Sequence, residues 1–119
     1  MPLEDEKEQY ENELRKFFKL RVIYSCYETI EKTDYRPQRL INALETCTPD
    51  ECVKKVYNYI TSHADGLKSL EPYGKKGLEL SLEAIILENK DYQKLFGFDA
   101  DDLVKACRFN LEQVHYFDM

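Results

Sequence analysis

From Leu3 to Lys32 the chain contains no glycine and no internal proline, and this stretch constrains the fold more than any other. Within it Tyr10, Leu14, Phe17, Leu20, Tyr24, Tyr27 and Ile30 recur at steps of three or four, the spacing of one helix face. Phe18, Val22 and Cys26 add a second apolar row beside the first. The pattern predicts one long amphipathic helix, its back half buried over a wide face and its acidic front half in water. Thr33-Asp34-Tyr35-Arg36-Pro37 ends it, because proline cannot continue a helix and restricts the residue before it.

Further helices follow from start and stop signals. Leu40, Ile41 and Leu44 mark a short one. Thr48-Pro49-Asp50-Glu51 places a hydroxyl cap, a proline at the first helical position and a glutamate three residues after the cap, so two free N–H groups find partners. Val53, Val56, Tyr57, Ile60 and Ala64 then give a stripe ending near Gly66. Residues 67–74 read as a loop, and Leu78, Leu82, Ile85 and Ile86 mark a helix from Lys75 to Glu88, the most enclosed of the set. Asn89 terminates it, and 91–96 make one or two turns before Gly97. Asp99 caps the last helix, with Phe98 stapled on Leu103 and a core row of Leu103, Cys107, Leu111 and Val114. No segment alternates polar and apolar residues long enough for a strand. The expected fold class is all-α: a single domain over 1–119, a bundle of about five helices with a long first helix.

Size and charge narrow the function classes. A chain of 119 residues buries a core without staples. No apolar run approaches the length of a membrane span. The acidic start, Met1-Pro2-Leu3-Glu4-Asp5-Glu6, differs from a signal peptide, so a cytoplasmic protein is expected. The net charge of −6 disfavours general nucleic-acid binding. It is unevenly spread: −5 over residues 1–13, +4 over 14–39 and −5 over 40–119.

Candidate chemistry is sparse. Cys26, Cys47, Cys52 and Cys107 lack zinc spacing, and His63 and His115 are far apart, so no metal or cofactor is expected. With Thr48 as cap, Cys47 and Cys52 occupy the two staple positions; they should touch, and the geometry also allows a disulfide if the compartment is oxidising. Cys26 and Cys107 lie on core rows. Asp99-Ala-Asp101-Asp102 lacks the glycine of a calcium loop, its sixth position being Val104, and reads as capping acids. His63 reads as a partner for a helix C-terminus.

Arg108-Phe-Asn-Leu-Glu-Gln-Val-His115 resembles the Arg-x₄₋₆-His pattern that HEPN-type ribonucleases carry on a late helix. The resemblance implies His115 as acid or base toward RNA and Arg108 on the phosphate. Phe109 stands where that family often has a polar residue. Gly97-Phe98 and the following Asp99–Cys107 are similar to the second half of a ubiquitin-associated domain, over about 20 residues.

Three functional readings follow. The first is a non-enzymatic interaction module (adaptor, inhibitor or immunity-type protein) that binds another protein, or its own copy, through Tyr10, Leu14, Arg15, Phe17, Phe18, Lys19 and Arg21. Nine tyrosines, with apolar bodies and polar tips, suit such rims. Antiparallel pairing of the first helix with its own copy matches acidic 1–13 with basic 15–21 and buries Tyr10, Leu14 and Phe17. The second is the ribonuclease with Arg108 and His115. The third is RNA or anionic-surface binding through Arg15, Lys16, Lys19 and Arg21, beside Phe17 and Phe18.

Overall fold

The computed structural model describes the backbone of residues 2–62 and 65–119, with side chains over 5–62 and 66–119. His63 and Ala64 lie outside the described residues. The elements are α1 (Pro2–Lys32), α2 (Gln38–Thr46), α3 (Pro49–Ser62), α4 (Asp65–Leu70), α5 (Gly74–Leu78), α6 (Leu82–Glu88), α7 (Lys90–Lys94) and α8 (Ala100–Gln113). Short 3₁₀ turns lie at Glu71–Tyr73, Gly97–Asp99 and Tyr116–Asp118. The fold is an all-helical bundle with a long first helix; no strand occurs among the described residues. No described helix is long and apolar enough to cross a membrane.

The capping box at Thr48 forms in both directions: Glu51 N–H donates to Thr48 Oγ1 and Thr48 N–H donates to Glu51 Oε1, each at 3.2 Å. Asn89 does double duty, closing α6 and capping α7, where its Oδ1 accepts from Tyr92 N–H at 3.1 Å. Three local expectations fail. Residues 65–70, read partly as loop, form α4. The helix expected from Lys75 to Glu88 is broken, because Ser81 adopts extended backbone and its Oγ accepts from Ala84 N–H at 3.1 Å, starting a new helix instead of continuing the old one. Asp99 precedes α8 but makes no side-chain cap, and Phe98 is fully exposed rather than stapled, because Gly97 at φ +56° turns the chain through a 3₁₀ step.

The main core joins Phe18, Val22 and Cys26 of α1 to Ile41, Leu44, Cys52, Val56, Ile60, Leu82, Ile86, Phe96, Leu103 and Cys107. A smaller one gathers Leu67, Leu70, Leu78, Leu111 and Val114. α6, buried from Leu82 to Ile86, packs along α8, and α1 packs along α3. α1 also buries Ser25 and Thr29, and Thr33 is buried just past its end. Thr29 and Thr33 donate to carbonyls one turn back, at 2.8 and 2.7 Å, and Ser25 donates to Leu80 O across to the α5–α6 connection. Those bonds let hydroxyls sit on a core face.

Gly77 shows a close approach that propensity alone would miss. A Cβ there would stand 2.8 Å from Leu70 O and 2.6 Å from Tyr73 Cβ. Alanine is better than glycine by about 1 kcal/mol in an open helix. Here Gly77→Ala is expected to destabilise by about 1–3 kcal/mol, since backbone must move to admit the methyl. Urea unfolding midpoints measure it, and an unchanged or raised midpoint would contradict the packing.

Candidate functional site

α1 carries apolar residues on two faces, and the bundle uses one. Phe18, Val22 and Cys26 are buried. Most of the row that spacing placed first points the other way: Phe17 is 62% exposed, Leu20 63%, Tyr24 62%, Tyr27 49% and Tyr10 57%, while Ile30 packs against the core. The wide buried face expected for the back half of α1 is therefore corrected to a narrow one. At 100° per residue the two rows lie on roughly opposite sides of the helix, so one bundle cannot cover both. Tyr10, Phe17 and Tyr24 fall seven apart, as do Leu20 and Tyr27, which is the repeat of a helix–helix seam. Phe17, Leu20, Tyr24 and Tyr27, with Arg21, Ile23 and Tyr92 of α7, line a shallow groove. Tyr27 is held at its end by a hydrogen bond from its hydroxyl to Glu45.

The surface expected from sequence overlaps this groove only in part. Phe17 is on it and Arg21 lines it. Phe18 is not, being wholly inside the core, its ring edge-on to Phe96 at 5.8 Å and tilted against Tyr92 at 5.2 Å. Leu14 is half-buried. Two bases of the stripe are committed internally: Arg15 pairs with Asp50 at 3.2 Å and with Glu11, and Lys19 donates to the Cys47 carbonyl. Arg21 lies 4.0 Å from Glu28, leaving Lys16 without an ion pair among the described residues. Leu20, Tyr24 and Tyr27, which the wide buried face would have enclosed, belong to the surface; the seven-residue repeat is the signal that separates them.

Arg108 and His115 do not share a helix face. α8 ends at Gln113, and His115 sits beyond it with left-handed backbone at φ 59°. Its imidazole is 3.6 Å from Asp118, while Arg108 lines a separate shallow depression with Glu88, Tyr116 and Phe117. The two-turn spacing assumed a helix that continues; the chain instead turns at Val114 and starts a 3₁₀ segment.

Among the described residues one carboxylate is buried. Glu83 is 2% exposed in the second position of α6, with Asn110 Nδ2 donating to it at 3.3 Å while also donating to Ile60 O at 3.0 Å. Burial pushes its pKa up. Burial likewise raises Cys26 to about 11 and Cys107 to about 12. Cys52 goes to about 12 through burial and then through Cys47 beside it. Cys47 and Cys52 lie together in the main core as free thiols, and burial makes the Cys52 thiol a poor nucleophile. Among the described residues no three His, Cys, Asp or Glu side chains cluster as a metal site. No family model, no curated protein and no solved structure matches the chain.

Proposed function

We propose that the protein is a non-enzymatic interaction module that docks a helix of another protein chain along the outer face of α1. The observation that carries this reading is the exposed row Phe17, Leu20, Tyr24 and Tyr27 at seam spacing, on a helix whose opposite face fills the core. Large apolar side chains scattered singly need no explanation, but a contiguous row of them on one helix face marks a contact surface. Aromatic rings in such a row bury much area at little entropic loss, which suits them as anchors. No comparable support exists for phosphate recognition, since Arg15 and Lys19 are already engaged within the bundle.

The test introduces charge on the row. The double substitution Leu20→Glu and Tyr24→Glu is expected to weaken capture of the partner by at least about tenfold. Circular dichroism and melting temperature should stay close to the wild type, because both positions are exposed. A partner retained equally by wild type and variant would overturn the reading.

A further inference from the structure

The row on α1 leaves open what covers it, and the same helix contains an answer. Residues Asp5 to Tyr10 are helical yet exposed on every side, so the front of α1 runs free of the bundle. A helical stretch without tertiary contacts is marginal by itself. The molecule measures 51 × 27 × 22 Å, and α1, at about 1.5 Å per residue, spans most of the long dimension. One chain thus presents a free helical segment and an unpartnered helical groove on one axis, and two copies can exchange them.

Resting on the reading of the row as a docking surface, we propose that its occupant is the first helix of a second copy. The two helices run antiparallel, offset so that Tyr10 of one packs on Leu20 of the other. This offset lays the acidic front of each helix over the basic stretch of its partner. Glu13 then faces the partner's Phe17, with the partner's Lys16 one residue away. Glu6 faces the partner's Tyr24, with the partner's Arg21 one turn away. The two Lys16 side chains approach at the dyad, each within a turn of a Glu13 from the other copy. Other arrangements fare worse. Parallel pairing in register sets Lys16 beside the partner's Arg21. The antiparallel offset that centres on Phe17 and Leu20 puts Glu6 against the partner's Glu31 at both ends and Lys16 against the partner's Arg21. Like charges across a seam select against both.

The area is adequate. Four half-exposed aromatics and one leucine offer roughly 500–600 Å² of apolar surface per copy, taking about 200 Å² for a whole ring side chain. A standard interface buries about 800 Å² per partner, and the flanking charged side chains supply the balance.

Sedimentation and native mass spectrometry of the full chain test this. The wild type is expected to dimerise in a concentration-dependent way below about 100 µM, since interfaces of standard size bind in the micromolar range or tighter. Glu13→Lys alone and Lys16→Glu alone are each expected to weaken the dimer by at least about tenfold, since paired charges become repulsive. Mixing the two single variants should produce the heterodimer in preference to either homodimer. A dimer unaffected by either charge reversal, but lost with Leu20→Glu, would overturn the offset. A wild type monomeric at 100 µM would overturn the second copy as occupant. The photo-crosslinker p-benzoylphenylalanine, placed at position 20 in the source cells, separates that failure from failure of the docking reading. An adduct with a different protein keeps the docking surface and removes the second copy, and no adduct at all removes both.

Discussion

Phe18→Ala is expected to lower the unfolding free energy by about 3–5 kcal/mol, the cost of emptying a fully buried aromatic site. Phe18 is where the long helix meets the end of the bundle: its ring stands edge-on to Phe96 and tilted against Tyr92. Truncation removes both ring contacts and leaves a cavity between elements that are distant in sequence, so local relaxation fills little of it. Against a typical total of about 5–15 kcal/mol, this leaves a visibly destabilised protein. The neighbouring Phe17→Ala is expected to stay within about 0.5 kcal/mol of the wild-type monomer, because its ring is in water. Urea unfolding of the two variants side by side, at a concentration where the protein is monomeric, measures the difference. Equal costs would mean that the two faces of α1 have been assigned wrongly.

Glu83→Gln is expected to stabilise the protein by about 1–3 kcal/mol at pH 8 and to remove a pH dependence. Burial raises the Glu83 pKa in the folded state, so over the affected window the folded protein holds a proton that the unfolded chain has released. Stability from this group is complete below the unfolded carboxylate value, about 4.3, and is lost as pH rises through the folded-state value. Above that value the protein holds a charged group in its core with Asn110 donating to it. Glutamine keeps an oxygen for Asn110 and carries no charge. Stability curves of wild type and variant should therefore converge near pH 4 and separate toward pH 8. Parallel curves over that range would show that the carboxyl is solvated rather than enclosed.

Much of the architecture is legible before any coordinates. Helical periodicity, Pro37, the Thr48 box and Asn89 are local features, and local physics decides them: a proline ring or a capping oxygen acts within a turn of its own position. The errors are of another kind. Ser81 and Asp99 both carry capping side chains, yet Ser81 takes extended backbone and caps, while Asp99 stays helical behind a 3₁₀ turn and does not. His115 sits in phase with Arg108 only if α8 continues, and it stops.

What the sequence determined by itself is the helical class, the length of α1 and the presence on it of two apolar rows. Which row enters the core was decided by tertiary structure. Apolar spacing says that a face prefers to leave water, not what it meets when it does. Only Phe96, Tyr92, α3 and α6, arriving from far along the chain, make the side bearing Phe18 the inside and leave Leu20 and Tyr24 facing out.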